Sequence, residues 1–345
     1  MRTSFRTGLL ALSLWTVVQP VQAQDVTFRI AHFLPAVASA QKVVLEPWCA
    51  ELGRQSGGRI KCAFFPSMQL GGTPAQLADQ VRNGVADIVW TAPGYSPGRF
   101  PRTEALELPG ILPLGGVAGG RAIWAFYGQH LKEEYKDYKV LAMHGDGGMN
   151  IHTASKRLAG PDDFKGVKLR SPNRSIARTL TALGATPVAM PPAQVTEAIA
   201  KGVVDGASAV WEVILPTKLD EVTRHHLESP ADRPAMGATV LVLLMNKQKY
   251  DALPADLKAI VDRNAGEPLV ERYGKAWDDA TTIARNRIRG LPGHTLTVME
   301  AGQYDALLKR TAVVQTEWLA DARARNINGE ALIAAARDAT AKSLR

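Results

Sequence analysis

The residue best placed to do chemistry is Arg170, at the end of the segment Gly166-Val167-Lys168-Leu169-Arg170 and just before Ser171-Pro172. Alternating apolar and basic residues predict a short strand at 167–170, and proline ends it because it cannot donate to a sheet ladder. Ligands of open α/β sheets bind at the carboxyl ends of strands. Arg170 is therefore a candidate anion-binding group, and the alternative is an arginine in a surface ion pair.

The elements that must position Arg170 are laid out in residues 166–212 as strand, helix, loop, helix and strand. The helices are predicted at residues 176–183 and 193–200, each closed by a glycine, Gly184 or Gly202. A new strand is expected from residue 203.

The second of these helices belongs to a pattern that occurs twice in the chain. Residues 75–87 and 193–205 share Ala, Gln, Gly, Val and Asp at corresponding places. Each segment is predicted to form an amphipathic helix, a glycine stop and a strand entry. The repetition indicates two similarly built α/β lobes, although chance recurrence of a common pattern is the alternative.

The remaining segments extend the same α/β alternation. Further strands are predicted at residues 27–32, 59–65, 87–90, 139–144 and 236–245, with helices at 40–54, 73–83, 121–137 and within 300–343. Residues 254–289 have helical periodicity, interrupted at Gly266-Glu267-Pro268. Uninterrupted, they would extend about 50 Å, enough to cross both lobes. Pro268 is expected to kink that helix.

Composition indicates a globular protein and argues against one class of partner. The chain has 345 residues, of which 46% are hydrophobic and 21% charged, with a formal net charge of +8. Its length allows two domains with proper cores. No basic run with interleaved aromatic residues is present, so nucleic acid is not an expected partner.

The first 23 residues read as a secretory signal peptide. Arg2 and Arg6 form a charged start, residues 9–18 are apolar, and Val21-Gln22-Ala23 offers small residues for cleavage after Ala23. The apolar core is shorter than the roughly 20 residues that a transmembrane helix needs. Export is therefore expected, with a buried N-terminal helix as the alternative.

Export bears on Cys49 and Cys62, the two cysteines of the chain. Cys49 lies in a predicted helix and Cys62 in the strand that follows it. An oxidising compartment favours a bridge, and a helix packed on its next strand brings the two Cα atoms within disulfide range. The alternative is two separately buried thiols. No Cys or His at ligand spacing indicates a metal site.

Motifs for catalysis and cofactors are absent from the sequence. The cluster Gly145-Asp146-Gly147-Gly148 lacks the spacing of a phosphate-binding loop and reads as a turn. Adjacent His225 and His226 would point in different directions from a helix. Neither a GxSxG elbow nor an HExxH pair is present. We therefore expect neither metal nor cofactor, and a binding protein instead of an enzyme.

An ordered set of motifs resembles the DctP family of TRAP transporter solute-binding proteins. The motifs, from about Val26 to beyond Ile260, are HFLP, GRIK, PSMQLGG, NGVADIVW, FKGVKLRSPN, LGATPVAMPPAQV, KGVVDG and YDALPADLKAIV. The resemblance implies a periplasmic, two-lobed α/β binding protein, type II-like and of the Venus flytrap kind, with a long helix spanning both lobes. It implies capture of an organic acid between the lobes and its delivery to the small and large membrane subunits.

The resemblance also divides the chain. Lobe 1 is expected to contain residues 24–148 plus about 236–268, and lobe 2 residues 149–235 plus about 269–345. The lobe-spanning helix is expected at about 255–290. A monomer is expected, which closes on its ligand by hinge motion.

In the family, an arginine at the K-[IL]-R position clamps the ligand carboxylate, and that position here is Arg170. A guanidinium presents a planar fork that matches a carboxylate through two hydrogen bonds, which lysine does not reproduce. Members that bind polar sugar acids place a second arginine near Asn150, which this chain lacks. The expected ligand is therefore a small monocarboxylate, with aromatic or branched 2-oxo or 2-hydroxy acids as candidates.

A second departure from the family pattern points to an aromatic wall. Where many members continue Gln-Glu-Asn-Pro after Val-Asp-Gly, this chain has Ala207-Ser208-Ala209-Val210-Trp211. Trp211, Trp90, Tyr95 and Phe33 are the aromatic candidates for ligand contact, although ordinary core positions are the alternative. His32, Asn150 and Met236 complete the predicted ligand-binding residues.

Two other functions are compatible with the sequence. One is a periplasmic receptor that presents the acid to a signalling partner, and the other is a secreted α/β enzyme acting on carboxylates. The absence of nucleophile and metal motifs counts against the enzyme.

Overall fold

The computed structural model describes residues 25–345. The predicted signal peptide and its cleavage after Ala23 lie outside these residues. Among the described residues, no helix is both long and apolar enough to cross a bilayer.

Eleven strands occur in the described chain. They are β1 (Val26–His32), β2 (Ile60–Phe65), β3 (Ile88–Thr91), β4 (Tyr138–Gly145), β5 (Asn150–Thr153), β6 (Lys168–Ser171), β7 (Thr186–Ala189), β8 (Gly206–Ala209), β9 (His225–Glu228), β10 (Val240–Asn246) and β11 (Thr295–Val298). The apolar segment predicted as a strand from residue 236 therefore becomes extended only at Val240.

Twelve α-helices separate and cover these strands within residues 25–345. They are α1 (Glu46–Gln55), α2 (Leu77–Arg82), α3 (Gly116–Phe126), α4 (Arg174–Ala182), α5 (Pro192–Ala200), α6 (Trp211–Ile214), α7 (Leu219–Val222), α8 (Lys247–Asp251), α9 (Ala255–Arg263), α10 (Glu267–Arg289), α11 (Ala301–Arg323) and α12 (Gly329–Ser343). π-Helical turns at Ala40–Leu45 and Tyr127–Leu131 extend α1 and α3 to lengths near those predicted.

The strands form two separate mixed sheets, one in each lobe. The first has the order β2-β1-β3-β10-β4 and the second the order β11-β9-β5-β8-β6-β7. In the first sheet β10 is antiparallel to both neighbours, and in the second β5 is antiparallel to β8 and β9. The chain therefore forms the predicted two-lobed α/β fold.

The internal repeat has a structural counterpart in both lobes. Helix α2 ends near Gly84 at φ +75° and leads into β3, whereas α5 ends near Gly202 at φ +68° and leads into β8. The carboxylate of Asp87 accepts a hydrogen bond from the backbone N–H of Arg29 at 2.8 Å. Asp205 accepts from the N–H of Lys168 at the same distance. Each aspartate thus joins the entry of one strand to the parallel strand beside it.

The long helix of the chain differs from its prediction. The helical segment expected at about 255–290 is two helices. The helix is interrupted between Arg263 and Glu267, where Gly266 has φ +71°. Pro268 does not kink the helix, because it occupies the first turn of α10, where no N–H is needed. Of these two helices, α10 is the one that reaches both lobes.

The buried residues of α10 show how it reaches both lobes. Tyr273 and Trp277 belong to the core of the first lobe. Ala284 and Ile288 belong to the apolar cluster under β8 in the second. One continuous helix therefore packs on both sheets.

The packing of the C-terminal residues differs from the predicted division, which assigns residues 269–345 to lobe 2. Helix α12 packs against α3, and its Leu332, Ile333 and Ala336 lie in the core of the first lobe. The expectation that all of 269–345 accompanies lobe 2 therefore needs this correction: the apolar face of α12 is buried against lobe 1.

Cys49 and Cys62 form the predicted disulfide, with Cα atoms 6.3 Å apart. The bridge joins α1 to β2, its following strand. It fastens the outer edge of the first sheet, because β2 is the first strand in that sheet's order.

Candidate functional site

A cavity lies between the lobes, at the carboxyl ends of strands from both sheets. The space between its walls, counted together with the mouth that is open to solvent, is about 540 Å³. The first lobe contributes Phe33, Trp90 and Tyr95, and the second contributes Arg170 and Glu212. The cavity is therefore built by both halves of the chain, as a ligand held between lobes requires.

Arg170 reaches the cavity from β6 and is held by main-chain atoms. Its Nε donates to the carbonyl oxygen of Met190 and its Nη1 to that of Ser208, each at 3.1 Å. Both carbonyl groups belong to the strands beside β6: Ser208 lies in β8, and Met190 comes directly after β7. The guanidinium is therefore fixed in orientation without an acidic partner.

The third nitrogen of Arg170 has no partner among the described residues. Nη2 is buried and makes no hydrogen bond, and the side chain forms no salt bridge within residues 25–345. Arg170 is only 4% exposed. Burial lowers the pKa of Arg170, while the side chain of Tyr95, which lies near the guanidinium, partly opposes this effect through its charge and through hydrogen bonding. A buried cation with an unused donor is suited to receive an anion.

Aromatic rings form the first-lobe side of the cavity. Phe33 stacks on Trp90 with ring centroids 4.8 Å apart and planes at 11°. Tyr95 meets Phe33 edge-on at 5.1 Å, and Trp277 of α10 packs against Trp90 at 5.8 Å. Trp90 Nε1 donates to His144 Nε2 at 3.0 Å, so the polar edge of the indole is satisfied. What remains facing the cavity is mostly apolar ring surface.

Two carboxyl groups also line the cavity, and burial disfavours their charged forms. Asp146 accepts hydrogen bonds from the N–H groups of Gly148 and Thr239, yet burial raises the pKa of Asp146 to about 7. Burial likewise raises the pKa of Glu212 to about 7. Because burial disfavours the negative charge of both groups, they offset the positive charge of Arg170 less than ordinary carboxylates would.

The structure brings four of the predicted ligand-binding residues to the cavity: Arg170, Tyr95, Trp90 and Phe33. The other four, Trp211, His32, Asn150 and Met236, are buried but do not line it. Trp211 Nε1 donates to Glu228 Oε1 at 2.7 Å. His32 lies beside Trp90 and donates from Nε2 to Gln41 Oε1 at 2.9 Å.

Asn150 and Met236 serve the second lobe in other ways. The side chain of Asn150 donates to the carbonyl oxygen of Gly148 at 3.1 Å, and Met236 lies in an apolar cluster of the second lobe. Both residues therefore have a structural use in the absence of a ligand.

Several cavity residues were not predicted from the sequence. Asp146 lies in the glycine cluster that the sequence predicts to be a turn, and its hydrogen bond from Gly148 confirms that local geometry. Glu212 directly follows Trp211 and had no distinguishing pattern of its own. Trp277 lies on the apolar face of α10, which the sequence offers as ordinary core. In each case burial by the opposite lobe, which the sequence does not display, makes the residue part of the cavity.

Two α/β lobes, a helix packed on both of them, and an apolar cleft with one unpaired cation define a solute-binding protein of the two-lobed class. The family model DctP, described as "Bacterial extracellular solute-binding protein, family 7", matches residues 30–319. The chain therefore belongs to this family.

Solved structures agree with this assignment. A TRAP solute-binding protein from Rhodoferax ferrireducens in complex with copurified benzoate is 36% identical, with a TM-score of 0.89, covering 92% of this chain and 98% of that one. A marine metagenome TRAP solute-binding protein specific for aromatic acids, in complex with 3-hydroxybenzoate, is 36% identical with a TM-score of 0.90, covering 94% and 100%.

A more distant structure is a TRAP solute-binding protein from Bordetella bronchiseptica with bound (R)- and (S)-mandelate. It is 28% identical, with a TM-score of 0.83, and covers 92% of this chain and 99% of that one. The family is a periplasmic component of transport that works with membrane subunits, not an enzyme family.

Proposed function

We propose that this chain is the periplasmic solute-binding subunit of a TRAP transporter for a small aromatic monocarboxylate. The acid is held between the lobes, its carboxylate on Arg170 and its ring against Phe33, Trp90 and Tyr95. The protein then delivers it to the small and large membrane subunits. We further propose that it does so as a monomer, which light scattering of the purified protein tests.

The observation that carries the proposal is the unpartnered Nη2 of Arg170. A buried guanidinium without a counter-ion is costly, since burial disfavours charge. Two of its nitrogens donate to carbonyl oxygens, whereas Nη2 has no acceptor, and the residue lines the cavity. A ligand carboxylate supplies both the missing acceptor and the missing charge. Charge-assisted hydrogen bonds of this kind contribute about 1.5–3 kcal/mol.

The walls of the cavity support an aromatic ligand over a sugar acid. Sugar acids need several polar partners, whereas the first-lobe wall offers the ring surfaces of Phe33, Trp90 and Trp277. Ring pairs contribute about 0.5–1.5 kcal/mol beyond the area that they bury. The similar proteins that carry benzoate, 3-hydroxybenzoate and mandelate favour the same ligand class.

Isothermal titration calorimetry tests the proposal with benzoate, 3-hydroxybenzoate, mandelate, a branched 2-oxo acid and a sugar acid. We expect the aromatic acids to bind most tightly. Arg170→Ala should weaken their binding more than tenfold, since losing over about 1.4 kcal/mol has that effect. The melting temperature of the free variant shows whether it is folded.

Arg310→Ala is the matched control for loss of one positive charge. Arg310 lies on α11, is 43% exposed, and pairs with Asp162 at 2.6 Å away from the cavity. The affinity of the Arg310→Ala variant for the aromatic acids should equal that of the wild type. Unchanged affinity in folded Arg170→Ala, or tighter binding of the sugar acid than of every aromatic acid, would refute the proposal.

A further inference from the structure

The cavity contains a second unsatisfied polar atom, on the carboxyl group of Glu212. Its Oε1 accepts a hydrogen bond from the backbone N–H of Ser39 at 3.2 Å. Its Oε2 is buried and has no hydrogen-bond partner within the described part of the chain. The residue is 2% exposed and lines the same cavity as Arg170. A buried carboxyl oxygen normally has a partner, so this one calls for an explanation.

The position of Glu212 is set by both lobes. It lies in the first turn of α6, which follows β8 of the second sheet, whereas Ser39 follows β1 of the first. The hydrogen bond from Ser39 therefore crosses the cleft and orients the carboxyl group. With Oε1 engaged by lobe 1, Oε2 is the oxygen that remains for a molecule in the cavity.

We infer that Glu212 Oε2 accepts a hydrogen bond from a ring hydroxyl of the bound acid, so that the preferred ligand is a hydroxy-substituted aromatic acid. This inference rests on the proposed function, because Arg170 must hold the carboxylate at the other end. The ligand then satisfies both unpartnered buried groups at once, the Nη2 of Arg170 and the Oε2 of Glu212.

The ring is the fitting place for the hydroxyl group. Glu212 Oε2 and Arg170 Nη2 each lack a hydrogen-bond partner, so these two atoms do not bond to each other. The ligand carboxylate on Arg170 would also repel a carboxylate immediately beside it. A hydroxyl on the far side of an aromatic ring keeps the two carboxyl groups apart. Asp146, the other cavity carboxyl, already accepts hydrogen bonds from Gly148 and Thr239.

Discrimination at such a site is expected to be large. A site built to bond a hydroxyl rejects the analogue that lacks it, because the buried acceptor is then left unpaired. Burial raises the pKa of Glu212 to about 7, although hydrogen bonding from the backbone and the side chain of Ser39 opposes this shift. A hydroxyl donor stabilises the carboxylate form and removes part of that cost.

Calorimetry with matched acids tests the inference on the full-length mature protein. The panel is benzoate, the three hydroxybenzoates, the three methoxybenzoates, phenylacetate and mandelate. At least one hydroxybenzoate should bind ten times or more tighter than benzoate. Its methoxy analogue, which cannot donate a hydrogen bond, should lose that gain.

Two variants separate Glu212 from the rest of the site. In Glu212→Gln the amide oxygen keeps the bond from Ser39 and turns an N–H donor to the cavity, and Glu212→Met removes the polar group. Both should lower the ratio of hydroxybenzoate affinity to benzoate affinity at least tenfold. Melting temperatures of the free variants report their folding.

The outcomes distinguish the two proposals. Suppose that benzoate binds as tightly as every hydroxybenzoate and that its binding requires Arg170. The inference about Glu212 is then overturned, while the proposed function stands. Unchanged ligand ratios in both folded Glu212 variants overturn it as well. If mandelate binds more tightly than phenylacetate but no hydroxybenzoate binds more tightly than benzoate, the placement of the hydroxyl group on the ring is overturned. If no aromatic acid binds the wild type, the proposed function itself fails.

Discussion

Arg170 Nη1 donates to the carbonyl oxygen of Ser208 at 3.1 Å, so this cation of the cavity wall is held by the backbone of the neighbouring strand. Arg170 also faces Ala207 in the register of β6 and β8. A partner of this kind restrains the guanidinium without neutralising it. The charge therefore stays available to a ligand, whereas an acidic side chain at the same place would compete with it.

Replacing Arg170 by lysine should weaken binding of the aromatic acid at least tenfold although the charge is kept. Lysine presents a compact ammonium group, which cannot reach the carbonyl oxygens of Met190 and Ser208 and the ligand with one rigid fork. Calorimetry measures the loss, and Arg310→Lys on α11 is the matched control. Equal affinity in Arg170→Lys would mean that charge alone matters.

Trp211→Phe should lower stability and leave ligand affinity within about twofold. The indole is 3% exposed, does not line the cavity, and donates to Glu228, which also pairs with Arg285. Loss of the buried hydrogen bond and of packing should reduce the free energy of unfolding by about 1–3 kcal/mol. Urea unfolding measures this difference.

Tyr95→Ala provides the contrast to Trp211→Phe, because Tyr95 lines the cavity and should affect affinity. A tenfold loss of affinity in Trp211→Phe with unchanged stability would show that the indole contacts the ligand.

The alternation of strands and helices was accessible from the sequence because it depends on local periodicity and on glycine. Gly84 and Gly202 both have positive φ at the ends of the repeated helices, as their positions in the pattern required. Arg170 was accessible for a similar reason: its place before Ser171-Pro172 puts it at the end of a strand. The resemblance to a family supplied its role.

The composition of the cavity wall was much less accessible. Whether a side chain at a strand end faces the cleft depends on the opposite lobe and on the exact turn that follows. Trp211 starts α6 and is directed to Glu228, whereas the next residue, Glu212, lines the cavity. An isolated glutamate reads as surface in a sequence, and only the contact with Ser39 shows otherwise. The break before α10 was marked by Gly266, yet Pro268 was read as a kink although it fits a first turn.

The stability of the ligand-free protein should depend on pH through Glu212. Burial raises the pKa of Glu212 from 4.5 to about 7, so the folded state binds its proton more tightly than the unfolded state. The stabilising contribution is complete below about pH 4.5 and is lost as the pH rises through 7. It corresponds to about 3 kcal/mol.

The test compares wild type with Glu212→Gln by urea unfolding at several pH values, since the other titrating groups are common to both proteins. Relative to the variant, the wild type should lose stability between pH 4.5 and pH 7.5. A difference that does not change with pH would show that Glu212 titrates normally in the folded protein.

Gly274→Ala should destabilise the protein by several kcal/mol through the contact of α10 with α3. A Cβ at this position would lie 2.6 Å from the Cα of Val117 and 2.9 Å from the carbonyl carbon of Gly116. These are backbone atoms, so relief requires the two helices to separate, and overpacking of this kind costs about 1–3 kcal/mol or more. Because α10 packs on both lobes, the strain should also lower ligand affinity.

Gly302→Ala is the matched control for Gly274→Ala, since it also lies in a long helix but its Cβ would meet no atom within 4 Å. Alanine there should change stability by no more than about 0.5 kcal/mol, because Gly302 is the second residue of α11 and its Cβ would meet no neighbour. Thermal unfolding and calorimetry of both variants measure stability and affinity. If Gly274→Ala unfolds at the wild-type temperature, close packing of α10 on α3 is not what holds the long helix to the first lobe.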